Sequence, residues 1–133
     1  MIEQTINIKK TLTDKTILIV DDDLEFCKML SQYLTGKGFF VHVAHNGEEG
    51  LRIIHESVPD LILLDVKMPK KSGFELLQEL KANPAHAKIP IIMLTGERKR
   101  DSLEKGLTLG ADFYIPKPFT LENLMDFVDN ILK

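Results

Sequence analysis

Three apolar runs in this chain stop at residues that can carry chemistry. Thr16-Ile17-Leu18-Ile19-Val20 runs into Asp21-Asp22-Asp23, Leu61-Ile62-Leu63-Leu64 runs into Asp65, and Ile89 to Leu94 runs into Thr95-Gly96. A shorter run, Phe113-Tyr114-Ile115, leads to Pro116-Lys117-Pro118. If these are strands of one open sheet, their ends gather at one edge, where carboxylates meet a hydroxyl and an ammonium. Clustered carboxylates repel one another, and holding them together costs free energy unless a cation sits among them. Hard oxygen ligands with an open face suit Mg²⁺, with Mn²⁺ as a substitute. A carboxylate beside such a cation can attack phosphorus and form an aspartyl phosphate. Lys117 would place a point charge on the phosphoryl oxygens, and Thr95 would donate its hydroxyl to one. A carboxylate nucleophile at neutral pH needs no base. Taken singly, each acid is as well explained as a helix cap, Asp23 above all. Acids at two strand ends with Lys117 at a third are what point to a site.

The elements that must position these residues are legible in the pattern. The first three runs are continuous and apolar, as suits strands covered on both faces of a parallel sheet. Phe39 to Ala44 and Phe113 to Ile115 complete a set of five. Between them, Cys27, Leu30, Tyr33 and Leu34 share a helical stripe ending at Gly36, and Asn46 with Glu49 can cap a helix carrying Leu51 and Ile54. Ser72 with Glu75 forms a capping box ahead of Leu76, Leu77 and Leu80, and Asn83-Pro84 ends that helix. Leu103 and Leu107 mark a fourth, more charged helix closed by Gly110. Leu121, Leu124, Met125, Val128, Ile131 and Leu132 mark a fifth. Strand and helix thus alternate five times, which builds a doubly wound α/β parallel sheet through right-handed crossovers.

Length and composition agree. The chain has 133 residues, 44% hydrophobic and 28% charged, with a formal net charge of −3, which fits one soluble domain and disfavours a nucleic-acid or membrane-surface binder lacking a basic face. No run approaches the roughly 20 residues of a spanning helix, and residues 1–15 carry no secretory core, so a cytoplasmic protein is expected. Residues 1–15 read as a loosely ordered arm and 16–133 as the domain. Cys27 stands alone, so neither an internal disulfide nor a cysteine-based zinc site can form. Its place on the apolar stripe makes it packing. The four histidines, His42, His45, His55 and His86, form no compact ligand set with the acids.

Four blocks of this sequence resemble the signature blocks of receiver domains of two-component response regulators. They are Val20-Asp21-Asp22-Asp23, Leu63-Leu64-Asp65-Val66-Lys67-Met68-Pro69, Leu94-Thr95-Gly96-Glu97 and Tyr114-Ile115-Pro116-Lys117-Pro118-Phe119. The resemblance covers about residues 15 to 133, with the blocks in order and suitably spaced. It implies a flavodoxin-like (βα)5 sheet of strand order 2-1-3-4-5. Asp65 would be the phosphoacceptor, with Thr95 and Lys117 completing the catalytic set. Asp22 and Asp65 would bind Mg²⁺ directly, Asp21 largely through water, and the Lys67 backbone carbonyl would add a ligand. Thr95 and Tyr114 would form the switch pair, and a cis bond is expected between Lys117 and Pro118. The chain would catalyse its own phosphorylation and dephosphorylation without being a conventional enzyme.

The resemblance further implies transfer from the phosphohistidine of a histidine kinase or histidine phosphotransfer protein. Added charge at Asp65 would draw Thr95 toward the phosphoryl oxygens and let Tyr114 turn inward, changing the surface of the fourth helix, fifth strand and fifth helix read by a downstream protein. Arg98, Lys99, Arg100, Asp101, Glu104 and Lys105 lie in that region, with Glu122, Asp126 and Asp129 further on. They suit a solvated face or a phosphorylation-dependent dimer. Lys67 and Glu97 stand at variable positions flanking the path of an attacking water and would tune phosphate lifetime, with Lys67 favouring slow self-dephosphorylation. Lys70 and Lys71 add charge either to a solvated loop or to the steering of a phosphodonor. A haloacid-dehalogenase-type hydrolase needs a second acid where Lys67 stands, and in a flavodoxin-like electron carrier Asp21-Asp22-Asp23 would repel the cofactor phosphate. A stand-alone receiver is the expectation, with a phosphorylation-independent interaction module and the excised receiver of a longer regulator as the alternatives.

Overall fold

The apolar runs lie side by side in one parallel sheet. The structure, a computed structural model, describes residues 14–96 and 100–132, without the side chains of Arg100 and Asp101. The elements alternate as β1 (Thr16–Val20), α1 (Leu24–Gly36), β2 (Phe40–Ala44), α2 (Gly47–Glu56), β3 (Leu61–Leu64), α3 (Gly73–Ala82), β4 (Ile91–Thr95), α4 (Arg100–Thr108), β5 (Phe113–Pro116) and α5 (Leu121–Leu132). The strand order is β2-β1-β3-β4-β5, as expected.

Alternation along each strand divides the core into two layers. Ile17 and Ile19 of β1 join Leu61, Leu63, Ile92 and Leu94 beneath α1 and α5, which supply Cys27, Leu30, Leu34, Leu124 and Val128. Leu18 and Val20 face the other way with Ile62, Leu64 and Met93, and meet Ile54 of α2 and Leu76, Leu77 and Leu80 of α3. β3 and β4 are buried along their whole length and β1 from Ile17 onward, which is why they read as unbroken apolar runs.

Sequence-encoded caps fix the helix starts. Asp23 accepts the Phe26 N–H at 3.0 Å and starts α1. Asn46 accepts the Glu49 N–H at 2.8 Å, and Glu49 accepts in return from His45, one residue before the cap. At α3 the capping box closes on itself, with Ser72 Oγ accepting from Glu75 N–H at 3.2 Å and Glu75 Oε1 accepting from Ser72 N–H at 3.1 Å. Hydrogen bonds to the Glu75 carboxyl from the Ser72 backbone N–H, then from the Ser72 hydroxyl, hold it below its usual range. Ser72→Ala is therefore expected to lower unfolding stability by about 1 kcal/mol, read as a smaller urea midpoint at unchanged slope.

Two expectations need correction. The fourth strand begins at Ile91, not Ile89. Pro90 has no N–H for the ladder, and regular pairing starts where Ile91 donates to Asp112 Oδ2 and accepts from Asp112 N–H, both at 2.8 Å. The second strand likewise starts at Phe40. Leu103 and Leu107 lie on the fourth helix, as expected, and both are exposed. The face of α4 that meets the sheet carries Gly106, where an added Cβ would come within 2.9 Å of Tyr114 Cδ2 and 3.4 Å of Met93 Sδ. A helix that approaches through a glycine has no apolar stripe to read. Residues 1–13 of the expected arm lie outside the described residues.

Candidate functional site

β1 and β3 are neighbours although two crossovers separate them in sequence, and β2 and β4 lie on opposite sides of this pair. Strand order therefore reverses between them, and a crevice opens beyond their carboxyl ends. Hydrogen bonds carry the ladders one residue past the strands. Asp21 N–H donates to Ala44 at 3.0 Å and Asp65 N–H to Val20 at 2.9 Å, while Lys117 N–H donates to the Thr95 carbonyl at 2.6 Å. The sheet itself thus sets the backbone positions of Asp21, Asp65 and Lys117.

The expected residues come together. Asp21, Asp22, Asp23, Asp65, Lys67, Thr95, Gly96 and Lys117 line one cavity of about 330 Å³. Asp21, Asp65 and Thr95 are buried in its floor, while Asp22, Asp23 and Lys67 stand at the exposed rim. Asp21 is fixed from two sides, Oδ1 accepting the Asp23 N–H at 3.0 Å and Oδ2 accepting from Lys117 Nζ at 2.6 Å. Its carbonyl accepts the Cys27 thiol at 3.2 Å and lies 3.3 Å from His45 Nδ1. Burial, then the charge of Asp21, push the Cys27 thiol up to about 12, so Cys27 is a buried packing thiol.

Burial and the neighbouring Asp21 charge push the Asp65 carboxyl up to about 6, with Lys117 pulling the other way. Ligand oxygens of Asp21, Asp22 and Asp65 lie within 4.8 Å of one another. A carboxylate whose ionisation is resisted by burial and a like charge, with open solvent on one side, is a group that a divalent cation would relieve. The three acids thus fit a hard divalent ion. No histidine joins the cluster, and His55 and His86 instead contact each other with ring centroids 5.1 Å apart.

The other expected residues are placed as follows. Tyr114 is half-buried on β5, its ring against the space left by Gly106. The Lys117–Pro118 bond is cis. Lys70 is exposed, and Lys71 forms an ion pair with Glu79 of α3. Glu97, Arg98 and Lys99 lie outside the described residues. Phe26 was not anticipated. Its ring lies under the Lys117 ammonium, 4.0 Å from Nζ to the centroid. It sits beside the apolar stripe of α1, and no one-dimensional pattern marks it.

The family model of the response regulator receiver domain matches residues 17–129. This chain belongs to that family, the receiver domains of two-component response regulators. Among individual relatives it is 45% identical over 117 residues to the transcriptional regulatory protein CpxR of Klebsiella pneumoniae, covering 88% of this chain and 49% of that protein. It is 40% identical to the transcriptional regulatory protein RprY of Bacteroides fragilis, with the same coverage. The chain spans about half the length of these relatives. Among solved structures, a putative response regulator from Chloroflexus aurantiacus superposes with a TM-score of 0.85 at 37% identity, covering 90% of this chain and 98% of that one. The chemotaxis protein CheY4 of Vibrio cholerae superposes with a TM-score of 0.83 at 30% identity, covering 90% and 99%.

Proposed function

We propose that this chain takes a phosphoryl group onto Asp65 from the phosphohistidine of a histidine kinase or histidine phosphotransfer protein, in a transfer that requires Mg²⁺. The observation that supports this most is a carboxylate in the floor of an acid-lined cavity that also holds the Lys117 ammonium. Asp22 and Asp65, with Asp21 behind them and the Lys67 carbonyl beside them, would hold the ion. When bound, the ion supplies positive charge that favours ionised Asp65 and offsets charge on the phosphoryl oxygens. An ionised Asp65 oxygen attacks phosphorus, the acyl P–O bond forms and the P–N bond to the donor imidazole breaks, with the imidazole regaining its proton from solvent. Lys117, parked on Asp21, is a four-carbon arm that can transfer its charge to the phosphoryl oxygens. Thr95 donates its hydroxyl to one of them. Attack by water on the same phosphorus returns Asp65 and releases phosphate, so the chain catalyses both steps on itself without being a conventional enzyme. Lys67 at the cavity rim flanks that water's approach.

The readout belongs to α4, β5 and α5. Thr95 and Tyr114 sit on the paired strands β4 and β5, with Met93 opposite Tyr114 and Thr95 opposite Pro116. A shift of Thr95 toward the phosphoryl group therefore acts on the strand that holds Tyr114, whose ring bears on α4. Leu103, Leu107 and Phe113 are exposed on this side, which suits a protein target over nucleic acid. The proposed setting is the cytoplasm, and no helix among the described residues is long and apolar enough to cross a membrane. Such a switch can serve a free-standing receiver or the receiver portion of a longer regulator, as monomer or phosphorylation-dependent dimer. The test is transfer of label from a phosphohistidine-bearing donor protein. Label is expected on this chain in Mg²⁺, none in excess chelator and none on Asp65→Asn. Transfer unaffected by chelation, or equal to Asp65→Asn, would contradict the proposal.

A further inference from the structure

Lys117 is held between two groups of different chemistry. On one side its ammonium donates to Asp21 Oδ2 at 2.6 Å, and on the other it lies 4.0 Å from the centroid of the Phe26 ring. The Phe26 ring is braced in turn, because Phe119 meets it edge-on with centroids 6.1 Å apart and an interplanar angle of 86°. Phe119 follows Lys117 by two residues, so the loop that carries the lysine also fixes the ring beneath it. Phe26 comes from α1, whose start is set by the Asp23 cap accepting the Phe26 N–H itself.

A cation over an aromatic face is attracted by the ring quadrupole, more strongly where water is partly excluded. Both partners here are half-buried. A lysine otherwise has a flexible stem, and many of its rotamers would carry the ammonium into solvent. The ring supplies attraction without a negative charge. A carboxylate in the same place would hold Lys117 more tightly and compete with the phosphoryl oxygens.

We propose that Phe26 is a positioning residue, which keeps the Lys117 ammonium at the mouth of the acidic cavity through its ring face and so raises the rate at which Asp65 is phosphorylated. This rests on the reading of Asp65 as phosphoacceptor. The test compares Phe26→Leu, which keeps apolar bulk but removes the ring, with Phe26→Tyr, which keeps it. With a small phosphodonor and saturating Mg²⁺, Phe26→Leu should form aspartyl phosphate about three- to tenfold more slowly than wild type, and Phe26→Tyr should stay within about twofold. Thermal melting of each variant identifies any loss of fold. A second readout needs no phosphorylation: NMR should show the Lys117 ε-methylene protons shifted upfield by the ring in wild type and Phe26→Tyr, and near their ordinary position in Phe26→Leu. Equal rates for Phe26→Leu and wild type, or equal losses in the two variants, would overturn the proposal. So would a wild-type Lys117 with no ring-current shift. Failure of wild type to phosphorylate at all would instead strike the phosphoacceptor reading, with the NMR comparison still deciding the role of Phe26.

Discussion

Gly73→Ala will be about 3 kcal/mol less stable than the parent chain, whereas Gly36→Ala will be unchanged or slightly more stable. Both glycines lie at helix ends, but their surroundings differ. A Cβ on Gly73 would land on the Asp65 carbonyl oxygen and within 2.9 Å of both the Asp65 carbonyl carbon and the Val66 Cα. These are backbone atoms that cannot rotate away. The Gly73 N–H also donates to the Val66 carbonyl at 2.8 Å, so the start of α3 rests directly on the chain leaving β3. A Cβ on Gly36 would meet no other part of the chain within 4 Å, and alanine there gains the ordinary helical preference, worth up to about 1 kcal/mol. Urea unfolding of the two variants checks the contrast. Because the clash falls on Asp65 itself, Gly73→Ala should also impair phosphorylation in whatever fraction remains folded. Equal midpoints for the two variants would show that α3 does not press on the phosphoacceptor loop.

The second large effect is electrostatic. In the absence of divalent ions, Asp65→Asn will be more stable than wild type by about 1–2 kcal/mol near pH 8, and the difference will vanish below about pH 4. The Asp65 carboxyl is pushed up to about 6 from an ordinary 3.8, first by burial and then by Asp21. Between these values the folded chain binds more protons at Asp65 than the unfolded chain does, so the contribution of Asp65 to stability is fully present below 3.8 and is lost as pH rises through 6. The full linkage would approach 3 kcal/mol, and solvent reaching the open face of the cavity screens it to about half. Asparagine removes the charge without removing the shape. Mg²⁺ should reverse the order at neutral pH, because it binds the ionised wild-type site and stabilises the folded state by mass action. Chemical unfolding of both proteins from pH 4 to 8, with and without Mg²⁺, measures this. A gap that widens toward low pH would contradict the account.

What the sequence made legible follows from the kind of information each feature needs. The runs Thr16–Val20 and Leu61–Leu64 announce buried parallel strands because both of their faces are covered, and the acids that stop them mark the strand ends directly. The capping box at Ser72 and Glu75 is local and was readable for the same reason. The start of β4 was not, because it depends on Asp112 of a different strand connection offering both a carboxylate and an N–H to Ile91. Leu103 and Leu107 mark α4 in the sequence yet lie exposed, because α4 meets the sheet through Gly106 and the Tyr114 ring. At the site, residue types and strand ends identified Asp21, Asp22, Asp65, Thr95 and Lys117 as neighbours. The pairing of Lys117 with Asp21, and the ring of Phe26 beneath it, arise only when the first and fifth βα units are folded together.

The central claim is that Asp65 becomes covalently phosphorylated, and intact-mass measurement after incubation with Mg²⁺ and a small phosphodonor tests it most directly. Wild type is expected to gain one phosphoryl group, removable by hydroxylamine as an acyl phosphate is, while Asp65→Asn gains none. If wild type gained no mass from either a small donor or a histidine-phosphorylated protein, or if Asp65→Asn gained the same mass, the chain would not be using Asp65 as its phosphoacceptor. The acidic cavity would then be a binding feature of a phosphorylation-independent interaction module.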